Sequence, residues 1–462
     1  MIKTERLTIQ KISLQDQPAL RRIADDFACS PYAAYDLPLP TDGKSVAQFA
    51  ASGLFYGVFL ERELIGYICF HEEGDCWDLG YCFHSAYYGK GYAYESCKAL
   101  LASAPVRRFT AGTALANTPS VRLLERLGFT LTGTETLSFQ PGTVFEGGLF
   151  QLSRSSLYRE LTSAELAAVL KTTHFSARLL TGGLFNTTYL VELPLGKAVL
   201  RVGPVNRQLL MPFEHHLMEA ESRVYRLCAA HGIPASEVLA VDTSKTVIDR
   251  DYMLVRYIPS KPMSQAELGE ARNRICRRIG QATAKLHAIT APRFGRIVGP
   301  GFERWSEALL WELSEWETLG YWQEQHREAE ILFEKAIPYL DEICTPCLVH
   351  TDLWAGNILI SPEPDFAAII DADRALWGDP EFEFSSIWWT LGEEAFWEGY
   401  GKRLSGTYAA RVRRGIYHLL NRLWNSYVYQ MEYNQPENAR KEQELALKQI
   451  EELKDLYEHP EC

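Results

Sequence analysis

The sequence predicts two domains: an α/β domain with a mixed sheet flanked by helices, followed by a bilobal α+β domain with a helix-rich C-terminal lobe. The 462 residues are 47% hydrophobic, which is enough for more than one packed core. In the first third of the chain, strand-like and helical patterns surround a glycine-rich turn. In the last third, a short apolar hairpin with polar residues at both ends precedes a helical, aromatic-rich segment. A polar stretch at residues 155–162 separates the two patterns.

The composition narrows the class of protein. The formal net charge is −12 and Lys and Arg form no long cluster, so nucleic acid is not expected as a partner. No run approaches the roughly 18 apolar residues of a membrane span, and the first residues lack the apolar core of a signal peptide. Ten irregularly spaced cysteines are typical of reduced thiols. We therefore expect a cytoplasmic protein without a membrane partner that acts on a small molecule, and its acidity suits a cationic substrate.

Local patterns predict the elements of the first domain. Alternation predicts a first strand, a capping box opens a helix, and two apolar runs around a polar turn predict a hairpin. A further strand then leads to the glycine-rich turn. In order, these segments are Glu5–Gln10, Ser13–Ala24, Tyr56–Leu60, Leu64–Ile68 and Trp77–Phe83.

The glycine-rich turn, Tyr88–Ala93, lies between that last strand and a helix from about Tyr94 to Ser103. A strand, a turn and a helix start form an anion site, because free backbone N–H groups and the positive end of the helix dipole face the turn. Gly89 and Gly91 let the backbone approach a pyrophosphate closely. The turn is therefore a candidate phosphate-binding site.

A second motif indicates the kind of domain. Asn117 caps a helix that ends at Leu127, and this segment resembles the closing part of GNAT-type N-acetyltransferases. Thr4–Leu7 and the glycine-rich turn resemble the branch that contains ribosomal-protein N-acetyltransferases. The resemblance covers nearly all of residues 1–155 and implies a GNAT fold that binds acetyl-CoA. The acetyl-CoA-binding residues would be Tyr88, Gly89, Lys90, Gly91, Tyr92, Ala93 and Asn117.

Two positions depart from the GNAT pattern. The Gln or Arg that is frequent at the start of the glycine-rich turn is Tyr88 here, and the Tyr often used as general acid is Leu124. Asp78, on the strand before the turn, could deprotonate an attacking amine through water, or it is a solvated strand carboxylate. We expect an N-acetyltransferase, with a non-catalytic CoA-binding or packing module as the alternative.

The junction between the domains is short. Phe150–Ser153 is predicted as the last strand of the first domain, and Thr162–Glu165 forms a capping box before an apolar helix. We place the boundary at residue 157, between domains of residues 1–157 and 158–462. The second domain would have an N-lobe at about 172–258 and a C-lobe at about 262–462.

The stretch from His350 to Asp371 carries the chemistry of the second domain. His350 and Asp352 open a loop that closes at Asn357, and two short apolar runs then form a hairpin with Asp371 directly after it. Because a hairpin brings its ends together, Asp352, Asn357 and Asp371 are expected around one small volume. Asp and Asn oxygens suit Mg²⁺, and a further carboxylate can accept a proton from a hydroxyl. This set matches the template for phosphoryl transfer.

The loop His350–Asn357 resembles the H-x-D-x-x-x-x-N loop of aminoglycoside phosphotransferases and related small-molecule kinases. Ile369–Asp371, followed by Gly378–Pro380, resembles the metal-binding Asp of that family and the turn after it. The resemblance implies a protein-kinase-like bilobal fold with Asp352 as the catalytic base. The other members of the site would be Asn357 and Asp371 as Mg²⁺ ligands, and His350 and Asp373 as structural neighbours.

The same resemblance implies a nucleotide site in the N-lobe. A turn containing Gly182 and Gly183 would lie over the phosphates, and Arg201 would pair with the α- and β-phosphates. A helix acid would orient Arg201. Glu221 is the candidate, and Glu219, two residues away on another helical face, is the alternative.

Between the lobes, the apolar strand Tyr252–Pro259 resembles a kinase hinge. Backbone groups of Arg256 and Ile258 would meet the edge of an adenine or guanine, so the phosphate donor would be ATP or GTP. The helices after the hairpin are expected to form the wall of the substrate cleft. Residues 436–455 are predicted as a charged amphipathic helix with a solvated face.

The two resemblances together predict a bifunctional transferase, with the domain order of the bifunctional aminoglycoside-modifying enzymes of antibiotic resistance. The expected reactions are Mg²⁺-dependent phosphorylation of a hydroxyl on an aminoglycoside or amino-sugar-like molecule, and acetyl-CoA-dependent N-acetylation. The loop with Trp354 also resembles that of fructosamine and related sugar kinases, so a metabolic sugar kinase is the alternative.

Overall fold

The computed structural model describes residues 1–37, 39–73, 76–104, 106–139, 142–153, 155–180, 184–194, 196–386 and 389–459. The chain forms two compact units, Met1–Arg154 and Ser155–Cys462. This division lies close to the polar junction where the sequence places residue 157. In the ranges just given, no helix combines the length and the apolar character needed to cross a membrane.

The N-terminal unit is built on one eight-stranded mixed sheet. Its strands are β1 (Ile2–Lys3), β2 (Leu7–Lys11), β3 (Phe55–Leu60), β4 (Glu63–Glu73), β5 (Cys76–Phe83), β6 (Arg108–Ala114), β7 (Thr130–Leu137) and β8 (Phe145–Ser153). Its helices are α1 (Gln17–Ala28), α2 (Gly43–Ser52), α3 (Tyr92–Ser103) and α4 (Thr118–Leu127). The strand order is β1-β2-β3-β4-β5-β6-β8-β7, with β5 and β6 parallel.

Helices cover both faces of this sheet. Because successive side chains of a strand point to opposite faces, the strands β3, β4 and β5 supply apolar residues to two cores. Leu100 of α3 and Leu124 of α4 belong to one core, whereas Ile23 of α1 and Val46 of α2 belong to the other. This arrangement confirms the mixed sheet flanked by helices that the sequence predicts.

The two parallel strands separate along their length. Residues 76–78 of β5 pair with residues 108–110 of β6, and the pairing between these two described strands ends at Asp78. Beyond that point β5 continues to pair with β4, and β6 with β8. The sheet therefore opens between β5 and β6, where the backbone groups facing the gap have no partner strand.

The C-terminal unit has an N-terminal sheet and a larger, mostly helical part. Its strands are β9 (Ser176–Leu180), β10 (Thr187–Leu193), β11 (Gly196–Val202), β12 (Val238–Asp242), β13 (Tyr252–Arg256), β14 (Lys261–Pro262), β15 (Gly295–Arg296), β16 (Cys347–Val349), β17 (Ile358–Ile360), β18 (Phe366–Ile369) and β19 (Leu376–Gly378). Its helices are α5 (Ser163–Leu170), α6 (Leu217–Ala230), α7 (Arg272–His287), α8 (Trp305–Glu317), α9 (Gln323–Leu340), α10 (Glu394–Tyr400), α11 (Tyr408–Tyr427) and α12 (Pro436–Glu458). A π-helical turn, Val428–Glu432, follows α11.

The five-stranded sheet has the antiparallel order β12-β13-β11-β10-β9, and α6 packs against β12 and β13. Two three-stranded sheets, β14-β17-β18 and β15-β19-β16, lie among the later helices. The sheet-rich first part and the helix-rich second part confirm the predicted bilobal α+β fold.

The last helix is amphipathic, as its sequence predicts. Its charged face is accompanied by a packed face, where Ala446, Ile450 and Leu453 are buried in the same core as residues of α11. Its small and branched residues recur at helical spacing among the charges, so α12 has one packed face and one solvated face.

Candidate active sites

The hairpin β17–β18 brings the predicted catalytic residues of the C-terminal unit together. Ile358 pairs with Ile369, and the Ile370 N–H donates to the Asn357 carbonyl at 2.9 Å. Asn357 and Asp371 therefore lie at the same end of the hairpin. The Asn357 side-chain amide in turn donates to the Asp352 carboxylate at 2.9 Å and to the Asp352 carbonyl at 2.9 Å.

His350 stabilises the loop Asp352–Asn357 through hydrogen bonds of its backbone and its ring. Its backbone N–H donates to the buried Glu383 carboxylate at 2.8 Å, and its Nε2 lies 3.0 Å from the Ile370 carbonyl, which can only accept. The Asp352 N–H donates to His350 Nδ1 at 3.3 Å. Burial lowers the pKa of His350, so the neutral ring with its proton on Nε2 fits both contacts.

The environment of Asp352 suits a general base. Burial, together with the nearby Asp371 carboxylate, raises the pKa of Asp352 to about 7, while Arg374 and the Asn357 hydrogen bond act in the opposite direction. A base whose pKa lies near the working pH combines the correct protonation state with sufficient basicity.

Arg201 lies between two carboxylates. Its guanidinium forms ion pairs with Glu221 of α6 and with Asp371, and lies 3.7 Å from Asp373. The alternative acid, Glu219, pairs with Arg223 instead. The structure thus brings Glu221 and not Glu219 to Arg201, as the spacing on two helical faces allows.

The carboxylates around Arg201 have the chemistry of a divalent-metal site. Oxygens of Glu221, Asp371 and Asp373 all lie within 4.8 Å of one another, and the positive charges of Arg201 and Arg374 act on this cluster. Among the residues that the structure describes, one Glu221 oxygen is buried with no hydrogen-bond partner. Burial raises the pKa of Glu221 to about 7, and burial beside Asp371 and Glu221 raises the pKa of Asp373 well above its usual value. A hard cation on oxygen ligands would relieve this excess of negative charge, so the residues fit Mg²⁺.

The remaining predictions of nucleotide-binding residues concern the glycine pair of the N-lobe, Arg256 and Ile258. Gly182 and Gly183 fall outside the described residues. The Arg256 N–H donates to the Glu237 carbonyl at 2.9 Å, and the Ile258 carbonyl accepts from the Ser260 hydroxyl at 2.8 Å. The roles of Arg256 and Ile258 at a base edge stay predictions.

In the N-terminal unit, the glycine-rich turn is held from a distant part of the chain. Gly89 and Gly91 have φ values of 71° and 80°, the left-handed region that favours glycine, and Gly91 caps α3. The Arg6 guanidinium donates to the Lys90 carbonyl at 3.0 Å and to Glu95 of α3 at 2.7 Å. Arg6 therefore fixes the turn against the first turn of the helix.

Asp78 is the last paired residue before β5 and β6 separate. It accepts a hydrogen bond from Thr110 at 3.0 Å, and burial raises its pKa above the usual value. Asn117 accepts from the Ser120 N–H at 3.4 Å and caps α4, as predicted. Tyr88, at 48% exposure, and the neighbouring Tyr92 flank the glycine-rich turn, and Ala93 lies in the first turn of α3. The structure thus places Asp78 beside the gap between β5 and β6, and Asn117 at the start of α4.

Comparison with known protein families connects this geometry to an enzyme class. Residues 176–418, just over half of the chain, match the model of the phosphotransferase enzyme family. The chain belongs to the phosphotransferase enzyme family. Residues 6–130 match the model of the acetyltransferase (GNAT) domain. The GNAT match followed by the phosphotransferase match confirms the predicted domain order and indicates a transferase.

The chain also resembles individual proteins, at low sequence identity. A curated relative, acyl-CoA dehydrogenase family member 10 of Mus musculus, is 24% identical over 221 residues, which are 43% of this chain and 19% of that protein. The chain thus spans about a fifth of the length of the curated relative that it matches. Among solved structures, a GNAT-family acetyltransferase from Bacillus anthracis is 24% identical and covers 33% of this chain and 97% of its own, with a TM-score of 0.29. A putative acetyltransferase from Salmonella typhimurium with acetyl-CoA is 22% identical, covers 32% and 94%, and has a TM-score of 0.28.

Sequence patterns alone missed three residues of the two candidate sites. Arg6 lies in a segment that was matched by resemblance, but nothing in the spacing shows that it reaches Lys90. Tyr225 contacts Asp371, and Arg374 pairs with Glu214 beside the candidate base. A signal for Tyr225 exists, because it lies four residues after Glu221 and therefore on the same face of α6.

Proposed function

We propose that the C-terminal unit transfers a phosphoryl group from ATP or GTP to a hydroxyl of an aminoglycoside or amino-sugar-like acceptor, and that this transfer depends on Mg²⁺. The observation that carries the proposal is the convergence of Asp352, Asn357 and Asp371 at one end of the hairpin, with the pKa of Asp352 raised to about 7. A hydroxyl lying against Asp352 can hydrogen-bond to its carboxylate and pass its proton to it as the oxygen attacks.

Other residues would bind and orient the donor. Asn357 and Asp371 would hold Mg²⁺, with Asp373 next to them, and Arg201 would meet the phosphates while Glu221 keeps it in place. Bound Mg²⁺ would supply charge neutralisation on the phosphate oxygens. His350 and Glu383 would keep the loop, and with it Asp352, in position.

The acceptor is proposed as a cationic small molecule, in keeping with the net charge of −12, and the site as cytoplasmic, without nucleic-acid or membrane partners. One observation favours the metabolic alternative of a fructosamine-type sugar kinase. Trp354, two residues after the candidate base, is 49% exposed, and an exposed indole suits packing against a sugar ring.

The phosphoryl-transfer proposal is tested with the full chain, Mg²⁺ and either ATP or GTP, and with aminoglycosides and simple amino sugars as separate acceptors. Phosphorylated product is followed by mass spectrometry. We expect Asp352→Asn to lower turnover by about a thousandfold or more, while nucleotide affinity stays within about threefold. Turnover that survives in Asp352→Asn would exclude Asp352 as the base. Product with simple amino sugars alone would favour the metabolic alternative.

For the N-terminal unit we propose acetyl-CoA-dependent N-acetylation of an amine, with Asp78 as the base acting through water. The strand gap after Asp78 and the glycine-rich turn at the start of α3 support this proposal, because they offer backbone N–H groups to an extended ligand that carries phosphates. The test is thiol release from acetyl-CoA with a panel of amines. Release with an amine and its loss in Asp78→Asn would support catalysis, whereas binding of CoA without release would favour the non-catalytic module.

A further inference from the structure

One helix of the C-terminal unit contacts both the phosphate-binding arginine and the metal-binding loop. Glu221 and Tyr225 lie one turn apart on α6 and so share a face. Glu221 forms an ion pair with Arg201. Tyr225, only 3% exposed, donates its hydroxyl proton to Glu221 at 2.5 Å and accepts the Asp371 N–H at 3.0 Å. The single phenol proton and one lone pair of Tyr225 are thus both used.

Asp371 needs such support because of its backbone. Its φ of 66° lies in the left-handed region, which a residue other than glycine adopts at a cost and keeps when its surroundings hold it there. Strand β18 ends at Ile369, so the ladder of the hairpin does not hold the Asp371 N–H. That N–H donates to the Tyr225 hydroxyl and also lies within reach of the Glu221 carboxylate, while the Asp371 side chain forms an ion pair with Arg201.

We propose that Tyr225 is a positioning residue for the metal ligand Asp371, and that α6 therefore sets the positions of Arg201 and Asp371 together. This inference rests on the phosphotransferase function proposed above. Its consequence is specific: removing the Tyr225 hydroxyl should weaken the binding of metal in the presence of nucleotide more than the binding of nucleotide alone. Glu221 also loses its hydrogen bond to Tyr225 in this variant, but it keeps the ion pair that holds Arg201.

The test uses Tyr225→Phe in the full chain, which keeps the buried ring and removes only the hydroxyl. Mn²⁺ serves as the probe, and free Mn²⁺ is measured by electron paramagnetic resonance in the presence of a non-hydrolysable ATP analogue. We expect the Mn²⁺ affinity to fall about tenfold, because the Asp371 N–H loses its hydrogen bond to the Tyr225 hydroxyl. The affinity for the analogue without metal should fall by less, within about twofold, because Glu221 keeps its ion pair with Arg201.

Tyr189→Phe is the matched control. Tyr189 is 4% exposed, and its hydroxyl accepts a backbone N–H, that of Leu161, at 2.7 Å. This variant loses the same kind of hydrogen bond in the same unit, and its Mn²⁺ affinity should equal that of the wild type. Unchanged Mn²⁺ affinity in Tyr225→Phe, or an equal loss in both variants, would overturn the positioning role.

Two further outcomes distinguish failure of the positioning role from failure of the proposed phosphotransferase function. If the wild type binds no Mn²⁺ with the nucleotide analogue, the proposed phosphotransferase function fails, and the positioning role with it. If Tyr225→Phe does not fold, amide hydrogen exchange of the wild type decides. Slow exchange at Asp371 supports the bond to Tyr225, and exchange at the rate of an open loop overturns it.

Discussion

Burial of Asp352 has two opposing effects, one on its basicity and one on the stability of the fold. Burial makes its carboxylate basic enough to accept a proton, and the same burial makes the charged form unfavourable in the folded protein. The pKa of Asp352 in the folded state, about 7, lies above the usual value of an aspartate in an unfolded chain, about 3.9. The unfolded chain therefore releases this proton at lower pH, and the stability of the fold falls as the pH rises between these two values.

We predict that Asp352→Asn makes the C-terminal unit more stable at about pH 8, where the wild type carries the buried charge, and that this gain shrinks towards about pH 5. A gain on the order of 1–3 kcal/mol would raise the melting temperature by a few degrees. Thermal unfolding of both proteins across this range measures the effect. If the melting temperatures of the wild type and Asp352→Asn differ by the same amount at every pH, ionisation of the buried Asp352 does not destabilise the folded protein.

At the scale of elements, the glycine-rich turn depends on the segment between β1 and β2. Thr4 and Arg6 both contact Glu95 of α3, at 2.5 Å and 2.7 Å, and Arg6 also reaches the Lys90 carbonyl. The turn is thus fixed at one end by its helix and at its centre by a side chain from the segment between β1 and β2. Fixing a loop before binding reduces the ordering cost that a ligand must meet.

We predict that Arg6→Ala weakens the binding of acetyl-CoA about three- to tenfold, because the turn loses the contact that orders it. Isothermal titration with acetyl-CoA measures this loss. Arg6→Lys, which keeps the charge but lacks the forked donors, should lie between the wild type and Arg6→Ala. An Arg6→Ala protein with unchanged affinity would mean that the turn is ordered by its own backbone.

The elements that the sequence predicts well are those whose signals are local. The hairpin around Asp371, the capping box of α5 and the glycine-rich turn each lie within a short window, so spacing and residue type suffice. The contacts that were missed join distant positions: Tyr225 and Asp371 are 146 residues apart, and Arg6 and Lys90 are 84 apart. No pattern along one chain links such positions, because the fold alone brings them together.

A related limit applies to α12. Its sequence predicts an amphipathic helix with a solvated face, but it does not show which element covers the other face, and in the fold that element is α11. A face of small and branched residues, such as Ala446 and Ile450, is a weak signal when charged residues surround it. The amphipathic pattern therefore predicts that one face can pack, but the partner element has to be known before the buried residues can be named.

At the scale of the whole molecule, each unit has its own hydrophobic cores. Residues of the N-terminal unit form two cores on the two faces of its sheet, and residues of the C-terminal unit form three others. Among the described residues, no core contains residues of both units. A unit with its own core can unfold as a cooperative whole, so a single two-state transition is not expected for this chain.

We therefore predict two thermal transitions, each raised by one ligand. CoA should raise the transition of the N-terminal unit, and Mg²⁺ with a non-hydrolysable ATP analogue that of the C-terminal unit. At about 100 times the dissociation constant, a ligand that binds the folded state stabilises it by about 2.7 kcal/mol, which corresponds to several degrees for units of this size. Asp371→Ala should abolish the shift with the nucleotide and leave the shift with CoA, since it removes a proposed metal ligand in one unit alone. Differential scanning calorimetry of the full chain makes the measurement. One transition raised equally by either ligand would show instead that the two units unfold as one.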